Sequence, residues 1–235
     1  AVSNLKSEGF TQTLNQGKLL QENALDQTVR IDPKVPCIYN TGDVMYDAAL
    51  VFGDIAKQKS TILESLDIEE HKYLLATIHR QENTDDQSRM TNIIQALLAL
   101  AQDNKIVLPL HPRTKKYLVE YKLDIEIRKN PHFILTDPMP YIDMVRLEQG
   151  ARVILTDSGG VQKESYFHGV PCITLRDETE WVETVEANWN TIVGADYDKI
   201  IESCHKASKG EFIPSYGSGK TSELILKALI QYCRI

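Results

Sequence analysis

The residues best suited to chemistry lie in one stretch, 153–171, which reads VILTDSGGVQKESYFHGVP. An apolar run (Val153, Ile154, Leu155) leads through Thr156 and Asp157 to Ser158-Gly159-Gly160, and a helical pattern follows over 161–167. The first N–H groups of a helix have no intrahelical acceptor and carry partial positive charge. Two glycines remove the side chains that would hold an anion at a distance, and Ser158 supplies a hydroxyl at the N-cap. A phosphate or diphosphate is the group such a turn would hold. Glu164 falls about one helical turn further on, where a carboxylate can accept hydrogen bonds from sugar hydroxyls. A Ser-Gly-Gly turn also serves simply as a tight strand-to-helix connection, and this stretch alone leaves both readings open.

The elements around it repeat the same plan. His168-Gly169 closes the helix and Pro171 opens the next strand, 172–175, giving strand, turn, helix, strand, the unit of a parallel sheet. Upstream, the apolar run 73–77 ends in a loop, 78–86, that carries His79, Arg80 and several carboxylates. The run 106–110 ends in His111-Pro112-Arg113, and 133–136 ends in Asp137-Pro138. Strand 172–175 ends in a charged loop with Arg176, Glu180 and Trp181, and a last short strand is expected at 192–194. Helical patterns occupy 44–52, 54–69, 90–101, 114–121, 141–149, 198–207 and 222–232, the last with an apolar stripe of Leu224, Ile225, Ala228 and Leu229. Residues 10–36 are polar and weakly patterned, and a loop is expected there. The fold class is α/β, a Rossmann-like parallel sheet with helices on both faces. A lone histidine in a loop is usually structural. Here every polar cluster follows a strand, and that edge of an open parallel sheet is where ligands bind.

Composition narrows the function. With 235 residues, 42% hydrophobic, the chain suits one large or two small domains. The net charge of −7, with both signs interspersed, argues against a general nucleic-acid binder or a partner of anionic membranes. No apolar run is long enough to span a bilayer. Cys37, Cys172, Cys204 and Cys233 show no paired spacing and read as buried thiols, which fits a reducing, cytoplasmic setting. The first residues look like the last turns of a helix closed at Gly9, without an initiator Met, so the chain is expected to begin inside something larger.

Four motifs together, His79-Arg80-Gln81-Glu82-Asn83, Leu110-His111-Pro112-Arg113, Thr156-Asp157-Ser158-Gly159-Gly160-Val161-Gln162-Lys163-Glu164 and Thr179-Glu180-Trp181, resemble the non-hydrolysing UDP-N-acetylglucosamine 2-epimerases. The resemblance runs from Gly42 to the C-terminus. It implies the carboxyl-terminal domain of a GT-B-type two-domain fold, with 1–36 a fragmentary helix and loop from the inter-domain region and 37–235 the UDP-binding domain with its C-terminal helix. It implies that Ser158, Gly159 and Gly160 hold the UDP diphosphate, that Glu164 holds the ribose, and that His79 approaches the phosphate end. Met144 and Met139 fall where the family contacts uracil, and Arg176 and Trp181 are assigned to the same UDP site. Arg80 and His111 fall where some bacterial members bind a second, activating UDP-sugar. The resemblance also implies a homodimer for the intact protein, and a reaction that needs neither a metal nor a nicotinamide cofactor.

Two departures qualify the resemblance. The family's amino-terminal domain, with its acid and base carboxylates, has no counterpart in this sequence, so the chain by itself is expected to be inactive. Trp181 stands where several bacterial members carry Arg, and the Trp form looks equally like the sister enzymes acting on UDP-2,3-diacetamido-2,3-dideoxyglucuronate. A GT-B glycosyltransferase and a non-catalytic nucleotide-sugar-binding domain remain as alternatives.

Overall fold

The structure, a computed structural model, describes residues 2–14, 18–19, 32 and 34–233. In chain order the elements are α1 (Val2–Ser7), β1 (Gln12–Thr13), β2 (Cys37–Ile38), α2 (Val44–Lys59), α3 (Ile62–Ser65), β3 (Tyr73–Thr77), α4 (Gln81–Thr84), α5 (Gln87–Leu100), β4 (Lys105–Pro109), α6 (Pro112–Glu120), α7 (Asp124–Lys129) and β5 (Phe133–Thr136). They continue with α8 (Tyr141–Gly150), β6 (Val153–Thr156), α9 (Gly159–Phe167), β7 (Cys172–Thr174), α10 (Val182–Glu186), β8 (Asn190–Ile192), α11 (Tyr197–Lys206) and α12 (Thr221–Cys233). The chain divides into two compact units, residues 1–50 with 213–235, and residues 51–212.

The larger unit, 51–212, is a six-stranded sheet in the order β5-β4-β3-β6-β7-β8, with every pairing parallel. Chain order reverses between β3 and β6, so the loops that leave these neighbouring strands diverge and open a crevice at their carboxyl ends. Strand residues alternate between faces, and two cores follow. Leu74, Ala76, Ile106, Leu108, Val153 and Leu155 face Ile93 and Leu97 of α5 and Ile200 and Cys204 of α11. Tyr73, Leu75, Val107 and Ile154 face Leu63 of α3 and Leu147 of α8. Both faces are covered, which is why β3 and β6 read as unbroken apolar runs rather than as an alternation. Each Val, Leu or Ile among them contributes about 1.5–3 kcal/mol on burial. Helix starts are fixed locally: Asp86 accepts from Arg89 N and Asp196 from Lys199 N, each at 3.0 Å.

The smaller unit holds the parallel pair β1–β2 and a core of Leu14, Leu224 and Ala228. Asp47 caps α12, accepting from Thr221 N at 3.0 Å and from Ser222 N and Oγ at 2.7 Å each. Gly42 has φ +101°, and a Cβ there would lie 2.7 Å from Thr221 Oγ1 and 2.8 Å from Tyr216 O. Of the apolar stripe on α12, Leu224 and Ala228 are buried, whereas Ile225 and Leu229 are exposed together with Leu226 and Ile230.

Several boundaries differ from the expected ones. The helices expected at 44–52 and 54–69 are a continuous α2 through Gly53 followed by the short α3. At Gly53 the space of a side chain is taken by Gln149 Nε2, 2.5 Å from where a Cβ would sit. The last strand is 190–192 rather than 192–194, because Gly194 turns the chain away at φ +63°. The loop expected over 78–86 contains α4, and α7 and α10 are further short helices. Much of the loop expected at 10–36 lies outside the described residues, although β1 falls within it. Cys172 and Cys204 are buried thiols and Cys37 is partly exposed, while the side chain of Cys233 lies outside the described residues. Among the described residues no helix is long and apolar enough to cross a membrane.

Candidate functional site

The crevice between β3 and β6 is organised by Asp157, which is 0% exposed. Its carboxylate accepts from the backbone N–H of His79 (3.0 Å to Oδ1, 3.1 Å to Oδ2), from Arg80 N (3.0 Å) and from Asn83 Nδ2 (3.1 Å). Asn83 in turn donates to Leu175 O at 2.8 Å and accepts from Arg89 Nε at 3.0 Å. The loop after β3 is thus tied to the residue that precedes the glycine turn after β6. Below the loop, the Thr77 and Thr156 hydroxyls meet at 2.6 Å, Ser158 N donates to Thr156 Oγ1 at 2.9 Å, and Thr114 Oγ1 donates to Ile78 O.

His79 stands over this network. Its Nδ1 is 3.5 Å from Asp157 Oδ1 and its ring centroid is 5.5 Å from that of His111. Burial, helped by His111 and Arg80, pushes the His79 pKa below its usual 6.5 against the pull of Asp157. His111 caps α6, its Nδ1 accepting from Arg113 N at 3.2 Å.

The turn itself is open. A Cβ on Gly159 would come no nearer than 3.6 Å to Arg80 and 3.7 Å to Trp181 Nε1, and one on Gly160 would lie 3.8 Å from Glu164 Oε2. Ser158 caps α9, its hydroxyl accepting from Val161 N at 3.5 Å. The N–H groups of Gly159 and Gly160 therefore head a nine-residue helix in which they have no intrahelical acceptor. Burial raises the pKa of Glu164, with Lys163 opposing. Trp181 lies against the turn: its indole N–H donates to Gly159 O at 2.8 Å, and Lys163 Nζ is 4.3 Å from its ring centroid. A buried polar chain holds Trp181 there. Gln162 Oε1 accepts from Thr179 Oγ1 (2.6 Å) and Asn190 Nδ2 (3.2 Å), and Thr179 Oγ1 accepts from Trp181 N (3.1 Å).

The structure gathers His79, Arg80, His111, Ser158, Gly159, Gly160 and Trp181 around one crevice, with Glu164 a turn further along α9. Three other residues singled out in the sequence are placed differently. The Arg176 guanidinium is buried and engaged with Glu180 (2.9 and 3.0 Å), and its Nε is 3.3 Å from Glu82 Oε1. Met139 and Met144 pack against the core under β3 and β6. In the sequence Asp157, Asn83 and Gln162 figure only as members of motifs, without a role, because their partners are remote along the chain and leave no periodic signal. A buried acid–base pair behind α9 has no sequence signal either. Glu148 and His168 have side chains only 2% and 4% exposed, with Oε2 and Nε2 3.8 Å apart. Among the described residues no group of three or more His, Cys, Asp or Glu is placed to hold a metal ion.

With this geometry the chain can be set beside known proteins. The sequence profile described as UDP-N-acetylglucosamine 2-epimerase matches residues 11–230. A UDP-N-acetylglucosamine 2-epimerase homolog of Methanococcus maripaludis is 46% identical over 195 residues, covering 82% of this chain and 54% of the relative. A UDP-2,3-diacetamido-2,3-dideoxy-D-glucuronate 2-epimerase of Pseudomonas aeruginosa is 40% identical over 235 residues, covering 97% of this chain and 57% of the relative. The chain thus spans about half the length of the curated relatives it matches. Among solved structures, the UDP-GlcNAc 2-epimerase of Methanocaldococcus jannaschii in complex with UDP-GlcNAc and UDP superposes with a TM-score of 0.77 at 33% identity. That match covers 97% of this chain and 58% of the other. By profile and by identity, the chain belongs to the UDP-N-acetylglucosamine 2-epimerase family.

Proposed function

We propose that this chain supplies the nucleotide-binding half of a UDP-N-acetylglucosamine 2-epimerase, the isomerase that interconverts UDP-N-acetylglucosamine and UDP-N-acetylmannosamine. The observation that carries the reading is the convergence of His79 and the Ser158-Gly159-Gly160 turn on one crevice at the reversal of strand order. Ser158, Gly159 and Gly160 hold the diphosphate on the start of α9, Glu164 accepts from the ribose hydroxyls, and His79 meets the phosphate end. Trp181 completes the turn, Arg176 braces the 176–181 loop through Glu180, and Met139 and Met144, only partly buried against the core, are left to meet the uracil. Arg80 and His111, beside the turn and His79 in the same crevice, receive a second UDP-sugar that activates the enzyme. The ligand residues lie within the UDP-binding domain, 37–235.

Elimination across C1–C2 takes the C2 proton as the C1–O bond breaks, leaving a C1–C2 double bond in the sugar and negative charge on the departing diphosphate, and UDP re-adds to C1 as a proton is returned to the opposite face of C2. Helix N–H groups and His79 stabilise that charge where it develops. The acid and base for C2 come from the other half of the enzyme. The intact protein works as a cytoplasmic homodimer, and this chain alone binds without turnover. Calorimetric titration of the 235-residue chain with UDP tests the reading, with saturable binding expected and no heat overturning it.

Trp181 and the 40% identity along 97% of this chain with the Pseudomonas aeruginosa protein favour a second reading, a diacetamido-glucuronate substrate. NMR of the intact enzyme supplied with each UDP-sugar separates the two by which one epimerises.

A further inference from the structure

We propose that Asp157 is the positioning residue for the anion-binding imidazole: it directs the Nδ1–H of His79 inward and leaves Nε2 for the ligand, so that a diphosphate binds together with a proton. The inference rests on the nucleotide-sugar reading above and adds a proton to it.

Asp157 is fully buried and accepts hydrogen bonds from three donors, all in the His79–Asn83 loop, so its carboxylate has a fixed place. The ring of His79 also faces this carboxylate, its Nδ1 3.5 Å from Oδ1. A neutral imidazole beside a carboxylate carries its proton on the facing nitrogen, because the other tautomer would set a lone pair against the negative charge. Nε2, on the other edge of the ring, is then an acceptor in the free protein. A phosphate oxygen is itself acceptor-only, so the two cannot bond until Nε2 gains a proton.

The groups facing His79 decide when that happens. Asp157, from the turn before α9, favours the imidazolium. His111, from the corner before α6, and Arg80, from the same loop, oppose it, as does burial. An incoming diphosphate adds negative charge on the Nε2 side and offsets the charge of Arg80. Binding then draws a proton from solvent onto Nε2, forming one N–H···O bond to phosphate while the Nδ1–H stays on Asp157.

The test is calorimetry of UDP-N-acetylglucosamine binding to the 235-residue chain in buffers of different ionisation enthalpy. This probe has a diphosphate esterified at both ends, with no group of its own titrating near neutral pH. At pH 7.5 we expect uptake of about half to one proton per ligand, and a Kd that rises by up to about tenfold from pH 7 to pH 8. Uptake should vanish in His79→Gln and fall in Asp157→Asn, which keeps the shape of the side chain but loses one acceptor. A purely structural role for Asp157 would lower affinity without changing the proton count. The tautomer of His79 is read directly from 15N shifts in the free wild-type chain, so a poorly folding Asp157→Asn leaves the assignment testable. A proton on Nε2, a binding enthalpy independent of buffer, or uptake that persists in His79→Gln overturns the inference. Absence of any binding would instead sink the nucleotide-sugar reading.

Discussion

Glu148→Gln is expected to change how stability depends on pH, with little change of shape. Glu148 sits on α8 with Oε2 3.8 Å from Nε2 of His168, the residue that closes α9, and neither atom has a hydrogen-bond partner among the described residues. Burial, then the nearby Glu164 carboxyl, pushes the Glu148 pKa well above 4.5, and burial with Lys57 lowers that of His168 to about 4. The folded pair therefore holds one proton from about pH 4 up to the raised pKa of Glu148. Unfolded, the carboxyl loses its proton near pH 4.5 and the imidazole near 6.5.

The raised group, Glu148, contributes stability that is complete below pH 4.5 and is lost as pH rises towards its folded pKa. The lowered group, His168, costs stability that is recovered as pH rises from about 4 to 6.5. From pH 4.5 upward the falling slope of the acid opposes the rising slope of the histidine, for as long as the pH stays below the raised pKa of Glu148. In Glu148→Gln only the histidine slope survives. The stability of the variant relative to wild type should therefore climb from pH 4.5 upward, by at most about 1.4 kcal/mol per pH unit, until the pH passes the raised pKa of Glu148. The result holds whichever of the two side chains carries the shared proton, since linkage counts protons on the pair. Urea denaturation of both proteins at a series of pH values measures the difference. A constant offset between the two curves would refute the reasoning, because it would mean Glu148 is ionised equally in the folded and unfolded chains.

Three further outcomes follow from the geometry. Glu164→Ala should weaken UDP by about 1.5–3 kcal/mol through loss of hydrogen bonds to a charged acceptor, and equal calorimetric affinities would remove Glu164 from the site. Trp181→Phe deletes the indole N–H bond to Gly159 O and should weaken UDP by about 0.5–1.5 kcal/mol, read in the same titration, with an unchanged Kd showing that Trp181 does not shape the turn. Gly42→Ala meets a positive φ and two close neighbours and should cost about 1–3 kcal/mol of stability, measured by thermal unfolding, where an unaltered midpoint would show that the backbone relaxes freely.

The strands were the most legible part of the fold in the sequence. β3 and β6 are apolar up to their closing threonines because helices cover both faces, and the glycine turn after β6 announced itself through residues that only a turn or a ligand requires. Gly53 misled, since a glycine inside a helical pattern looks like a break, whereas here it lets α2 pass close to the distant Gln149 side chain. The strand β1, two residues long, was invisible because its pairing with β2 carries no pattern of its own. At the site, His79 and Ser158 stood out by residue type and position after strands. The groups that hold them did not: Asp157 binds a loop 74 to 78 residues away, and Gln162 reaches Asn190 across 28. A residue whose function is to hold another far along the chain looks, in sequence, like any polar residue.

The central pairing of β3 with β6 has a consequence for how the molecule acquires its site. Thr77 meets Thr156 across 79 residues, whereas β3 with β4 and β4 with β5 close shorter loops. Long-range parallel pairing forms slowly, because chain closure must precede the contacts that reward it. The β3–β4–β5 half can condense first, with the hydrophobic edge of β3 still bare. Only when β6 docks does Asp157 reach the His79 loop, so the crevice is born in the same step that closes the sheet. A chain stalled before that step would carry every ligand residue and bind nothing, and it would present an unpaired strand edge to its neighbours.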